Sequence, residues 1–183
     1  MFKKHENSRP SDWVLKWSSL IIKKGKVLDI ACGGGRHSVF FANGGYFVTA
    51  LDKDVSRLPH NPRIKTIKSD IEDLSAWPLA GEKFNGIIVT NFLYRPLFPI
   101  LSRSLFPNGV LIYETFGMGN ECYGRPRNKR FLLEPGELLE AFSKDFIIIA
   151  YENGIRSIPS PAVIQRIIAI RKSQNYKLIH LPN

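Results

Sequence analysis

Apolar residues recur along this chain in short blocks, and most blocks alternate with stretches of helical spacing. Seven strands are predicted, at 26–30, 47–51, 64–68, 84–90, 110–115, 146–151 and 163–171. The first five read as continuous apolar runs rather than alternating ones, the pattern of strands covered on both faces. Helices are predicted at 36–43, ended by Gly44, at 95–105 and at 135–143, where Leu138, Leu139 and Phe142 form the apolar face. An opening helix in "SDWVLKWSSLI" has Ser11 as its N-cap and Trp13, Leu15 and Trp17 available for burial. Such alternation makes a doubly wound α/β sheet with helices on both faces. Only "NGIRSIPSPAV" separates the last two strands, too little for a helical crossover, so they form an antiparallel hairpin at one edge.

The stretch "VLDIACGGGRHS" is a strand that runs into glycines and then a helix. In a doubly wound sheet, ligands bind beyond the carboxyl ends of the strands, and glycines let the backbone approach them closely. A dinucleotide fingerprint would be G-x-G-x-x-G/A, and Gly33, Gly35 and Ser38 match it only in part. Asp29, at the end of the strand, would repel a pyrophosphate. It suits a ligand with an ammonium group and no phosphate, as in S-adenosylmethionine, whose carboxylate can use turn N–H groups. The other reading of Asp29 is a turn cap. Asp52 in "VTALDKD" is placed to accept from ribose hydroxyls, and Asp70 in "IKTIKSDIEDL" from an adenine amine, with Ile71 packed on the ring.

With these motifs, residues 27–172 resemble a class I S-adenosylmethionine-dependent methyltransferase. "VLDIACGGGRHS" is similar to the first motif of that family, "ALD" before Lys53 to its second, and "SDIEDL" to its adenine-side motif. "FNGIIVTNFLY" and "LFPNGVLIYETF" resemble the fourth strand and the step into the fifth. The resemblance implies a Rossmann-like seven-stranded sheet of order 3-2-1-4-5-7-6 with strand seven antiparallel. It also implies S-adenosyl-L-methionine as cofactor and S-adenosyl-L-homocysteine as product. Cofactor-binding residues are then Asp29, Ala31, Cys32, Gly33, Gly35, Arg36, Asp52, Lys53, Asp70, Ile71 and Asn91. Ala31 stands where the family has its first glycine, a departure that a small Cβ tolerates. The "GGGRHS" variant is similar to small-molecule methyltransferases of the tellurite-resistance and thiopurine type.

Methyl transfer is an in-line displacement that needs alignment more than acid–base groups. Asn91, Phe92 and Tyr94 are the candidates that line the methyl and substrate site. Asn91 and Tyr94 keep the spacing of the Asn-Pro-Pro-Tyr motif of nucleobase-methylating enzymes, but Phe92 and Leu93 replace its prolines. Residues 117–131 form a long glycine-rich connection with Tyr123, Arg125, Arg127, Lys129 and Arg130 against the acid Glu121. The connection reads either as a basic lid over an anionic substrate, able to move on its glycines, or as a solvated loop. His37 takes a structural or cofactor-side role, and Cys32 is packed rather than reactive.

Composition sets the outer bounds. The 183 residues favour one domain: a helical segment to residue 25, a core over 26–172 and a tail over 173–183. At 44% hydrophobic and 23% charged the chain reads as soluble and globular, with no membrane span and no secretory signal. Cys32 and Cys122 lack metal spacing, so no metal site is expected, and both read as free thiols in a reducing cytoplasm. The formal charge of +10 keeps RNA as a possible partner, although the basic residues are dispersed. A small-molecule methyltransferase is therefore the leading reading, as a monomer or dimer. An RNA or nucleobase methyltransferase, and a cofactor-binding member of the fold without chemistry, are the alternatives.

Overall fold

The computed structural model describes residues 9–73, 77–175 and 180–182. The first eight residues, with the Lys3-Lys4 pair, and part of the expected tail lie outside them. The elements run α1 (Asp12–Trp17), β1 (Lys26–Ile30), α2 (Arg36–Asn43), β2 (Phe47–Asp52), β3 (Ile64–Lys68), β4 (Phe84–Thr90), α3 (Phe98–Arg103), β5 (Leu105–Phe116), α4 (Glu137–Phe142), β6 (Phe146–Arg156) and β7 (Ala162–Arg171). One seven-stranded sheet has the order β3-β2-β1-β4-β5-β7-β6. The first five pair in parallel, and β7 is antiparallel to both β5 and β6. No helix among the described residues is long and apolar enough to cross a membrane.

Successive residues of the central strands feed two different cores, which is why those strands read as unbroken apolar runs. On one face Leu28, Ile30, Ile87, Val89, Leu111 and Tyr113 pack with Leu138 and Phe142 of α4 and Leu101 of α3. On the other, Val27, Ile88, Val110 and Ile112 pack with Trp13, Val14 and Trp17 of α1 and Phe41 of α2. Each large side chain buried this way contributes on the order of 1.5–3 kcal/mol. Val14 takes the buried place expected for Leu15, which is half-exposed.

Three expectations need correction. β3 is not covered on both faces; as an edge strand next to β2 alone, it is mostly exposed. The fifth strand begins at Leu105 rather than 110, with a register irregularity against β4 between Phe84 and Gly86. It takes residues from the end of the expected third helix, which stops at Arg103. The sixth strand extends to Arg156 rather than stopping at 151, because its outer half goes on pairing with β7 to Ala162. This longer hairpin carries Arg156 and Arg166 to the carboxyl end of β5, where Glu114 lies.

Candidate functional site

The glycine turn joins β1 to α2. Ala31, Gly33 and Gly35 all have positive φ, at 52°, 54° and 78°. For Ala31 the left-handed backbone costs roughly 1–2 kcal/mol, so the replacement of glycine is strained rather than mild. A Cβ on Gly35 would lie 2.3 Å from Leu58 Cδ2, whereas one on Gly33 or Gly34 would meet nothing within 4 Å. The turn is thus packed behind and open in front, a cradle of the kind a ligand backbone contact needs. Gly33 N–H donates to Asp52 Oδ2 at 2.8 Å and Asp54 N–H to Asp52 Oδ1 at 2.9 Å, which ties the turn to the end of β2. Lys53 beside it is exposed. Asp70 is exposed and accepts from Glu72 N–H at 3.0 Å, while Ile71 belongs to the core.

Behind the turn the groups are buried and spoken for. Asp29 is only 1% exposed, and its Oδ2 accepts from Ser38 Oγ at 2.6 Å. Burial, partly offset by that hydrogen bond, pushes its carboxyl up to about 6. Asp29 therefore fastens the start of α2 from within, closer to the turn-cap reading than to a direct ligand contact. His37 Nε2 accepts the backbone N–H of Ser11 at 3.1 Å, and burial with the nearby Arg36 charge lowers its pKa to about 3. It is neutral and structural. Cys32 is buried, and desolvation pushes its thiol up to about 12, which makes it unreactive.

A cleft of about 790 Å³ is lined by Arg36, the first residue of α2 after the turn, and by Asn91 at the end of β4. Glu114, near the end of β5, lies at its base, 2% exposed. It accepts from Ser11 Oγ at 2.9 Å and from Arg166 at 3.2 Å, with Arg156 at 3.8 Å. Arg166 also donates to Glu152 at 2.8 Å and stacks on Trp13 at 4.5 Å. Asn91 closes β4 with φ of 54°, its N–H bonded to Glu114 O at 2.9 Å. Sequence reasoning missed Glu114, Arg156, Arg166 and the Ser11 side-chain contacts. A buried acid inside the apolar strand run "LIYETF" was the available signal for the first.

The other site candidates separate. Phe92 packs against the core, and its carbonyl accepts from Tyr113 Oη at 3.0 Å. Tyr94 lines a crevice of about 150 Å³ with Arg130 and Phe131, away from the large cleft. Residues 117–131 do not form a loop free at its glycines. Asn120 is buried, donates to Pro126 O at 3.2 Å and accepts from Val163 N–H at 3.2 Å. Gly117 N–H donates to Val163 O, and Met118 N–H to Leu133 O. Arg95 grips the far end, bidentate on Glu137 at 2.6 and 2.9 Å and donating to the carbonyls of Arg130 and Leu132. Tyr123 and Arg125 reach the large cleft, Arg130 lines the small one, and Arg127 and Lys129 are exposed in neither lining.

Residues 1–88 match the model of the family described as tellurite resistance protein TehB. Among solved structures, TehB from Haemophilus influenzae superposes with a TM-score of 0.71 at 21% identity, over 93% of this chain and 65% of that one. The 1,6-didemethyltoxoflavin-N1-methyltransferase of Burkholderia thailandensis, solved with its substrate and S-adenosylhomocysteine, gives 0.61 at 18% identity, over 88% and 76%. An uncharacterized RNA methyltransferase of Protochlamydia amoebophila is 29% identical over 79 residues, 38% of this chain and 18% of that protein. The chain spans no more than 18% of the curated relatives it matches. It thus has the class I S-adenosylmethionine-dependent methyltransferase fold and is similar to the TehB family over its first 88 residues.

Proposed function

We propose that the chain is an S-adenosylmethionine-dependent methyltransferase, a single domain that acts on a small molecule held in the 790 Å³ cleft. The observation that carries this reading is the open glycine turn, fastened to Asp52 and followed directly by Arg36, which lines that cleft with Asn91 of the β4 end. Bound S-adenosylmethionine would supply an electrophilic methyl group for transfer to the acceptor. The protein's own part is placement. Asp52 offers the remaining lone pairs of both oxygens to a ribose, Asp70 accepts from an adenine edge, and the turn backbone receives the amino-acid end. Asp29 supports these contacts through Ser38. Burial of the acceptor against Asn91 and Phe116 supplies proximity and excludes water.

Titration calorimetry with S-adenosylmethionine, S-adenosylhomocysteine and NAD tests the cofactor. The first two bind and NAD does not; the reverse order would overturn the reading. A tritiated methyl donor offered with thiols, phenols, amines and bulk RNA then tests the acceptor class. The +10 charge and the similarity to an RNA methyltransferase over 79 residues support RNA as the second reading, and label confined to RNA would establish it.

A further inference from the structure

The large cleft is strongly asymmetric in charge. Arg36, Arg156 and Arg166 stand around Glu114. Arg166 is committed in full, to Glu114, to Glu152 and to the Trp13 ring. Arg156 is not: it touches Glu114 only at 3.8 Å, and its Nε is buried with no hydrogen-bond partner among the described residues. Arg36 is half-buried and stands in no ion pair among them; burial lowers its pKa, the charges of Glu114 and Asp29 work against that, and the Arg156 charge adds to it. An unpaired buried guanidinium nitrogen costs roughly 1–3 kcal/mol, and more for a charged group, and a like charge nearby adds to that. Arg36 and Arg156 both line the cleft, where a bound anion would relieve the repulsion between them.

Glu152 is exposed and outside the lining, so Arg36, Arg156 and Arg166 face the one buried carboxylate of Glu114, and Arg9 and Arg125 with Asp12 leave the lining with positive charge in excess. That excess matches an anion. The rest of the cleft is apolar in part: Phe116 lies towards the base, and Tyr123 and Ile158 stand at the rim, Ile158 77% exposed. A volume of about 790 Å³ far exceeds an inorganic oxyanion, which needs only a few times the ~30 Å³ share of one water. It falls within the roughly 300–1,000 Å³ of pockets for metabolite- and drug-sized ligands.

We infer that the acceptor cleft is built for an organic anion of metabolite size: its carboxylate pairs with the guanidinium groups of Arg36 and Arg156, and its apolar body lies on Phe116, Tyr123 and Ile158. This deepens the methyltransferase reading above and rests on it for the role of the molecule as acceptor. The carboxylate anchors the molecule at one end, so the nucleophilic atom that meets the methyl group belongs to the other.

The test uses full-length protein, with and without saturating S-adenosylhomocysteine. Four probes are titrated by calorimetry and ligand-observed NMR: phenylacetate, its neutral analogue phenylacetamide, phenyl phosphate and inorganic phosphate. Phenylacetate should bind at least tenfold more tightly than phenylacetamide and than inorganic phosphate, with phenyl phosphate reporting whether the site distinguishes carboxylate from phosphate. Arg156→Gln should remove most of that tenfold preference for acid over amide and leave S-adenosylhomocysteine affinity within twofold. The acid–amide contrast on the unmodified protein decides the question even if the variant does not fold. Equal binding of acid and amide, inorganic phosphate that competes on equal terms, or no binding of phenylacetate would overturn the inference. Absence of S-adenosylhomocysteine binding would instead remove the cofactor reading, and the phenylacetate titration without it still judges the anion site.

Discussion

Asp29 and His37 give the fold two opposed titrations that can be separated. The perturbation is Asp29→Asn, which keeps an acceptor for Ser38 Oγ, compared with His37→Gln, whose Oε1 can still accept from Ser11 N–H. In the folded state His37 lies near 3 against an ordinary 6.5, so the unfolded chain takes up that proton first. Stability therefore falls as pH drops below 6.5, by about 1.4 kcal/mol per unit, to a ceiling of roughly 5 kcal/mol near pH 3. Asp29 lies near 6 against 3.8, so the folded state takes up its proton first. Stability then rises as pH falls from about 6 to about 3.8, by the same slope and roughly 3 kcal/mol in all. In the parent protein the two nearly cancel between pH 6 and 4. Relative to the parent, Asp29→Asn should lose up to about 3 kcal/mol between pH 6 and 4, and His37→Gln should gain a similar amount. Urea unfolding followed by tryptophan fluorescence reads this, since Trp13 and Trp17 lie beside the Ser11 contact. Stability profiles of the variants that run parallel to the parent from pH 7 to 4.5 would refute the burial argument for both groups.

Asp52→Ala should weaken S-adenosylmethionine and S-adenosylhomocysteine alike, by roughly 1.5–3 kcal/mol for a lost charge-assisted contact; calorimetry that finds a loss for the methylated form alone would remove the ribose assignment. Neutralising Arg125, Arg127, Lys129 and Arg130 should barely change RNA affinity. Because these four charges do not converge, the parent should show a shallow salt slope; one steeper than about −3, flattened by the changes, would mean some four phosphate contacts. Arg95→Met removes the clamp on Glu137 and on two carbonyls, and half-exposure of the pair limits the stability loss to about 1–2 kcal/mol by urea unfolding. Its more telling readout is faster amide exchange at Arg130 and Leu132; unchanged exchange there would mean that Arg95 does not hold the loop.

The parts of the site that were legible in the sequence are those written locally. A strand, a glycine turn and a helix lie within one dozen residues, and α2 occupies the span its periodicity and Gly44 indicate. The hairpin of β6 and β7 was legible because too few residues separate the strands for a crossover. The depth of Asp29 was not, since its partner Ser38 could equally have faced solvent on α2; only the sheet behind that helix decides which. The exposure of β3 is likewise set by its place at the edge, which its own five residues do not encode. The arginine cleft was least legible of all. Ser11, Glu114, Arg156 and Arg166 come from four elements, and each in isolation resembles an ordinary cap, a strand polar residue or a hairpin charge.

Ser11 ties the helix that follows the glycine turn to the strand that lines the cleft. Its backbone N–H is held by His37, one residue after Arg36 on α2, and its hydroxyl by Glu114 on β5. The hydroxyl oxygen also accepts from Trp13 N–H and so caps α1. One residue thus fixes the N-terminal wall of the cleft to the helix that begins at the glycine turn and to the strand that carries the buried acid. The His37 bond requires an unprotonated nitrogen, which its lowered pKa keeps available at neutral pH. The Glu114 bond requires an acceptor oxygen, which the carboxylate provides while its charge meets Arg166 and Arg156. Displacement of Arg36 towards a bound anion would pull on the same turn of α2 that His37 anchors. The arginines and the glycine turn are therefore linked through two adjacent residues of one helix.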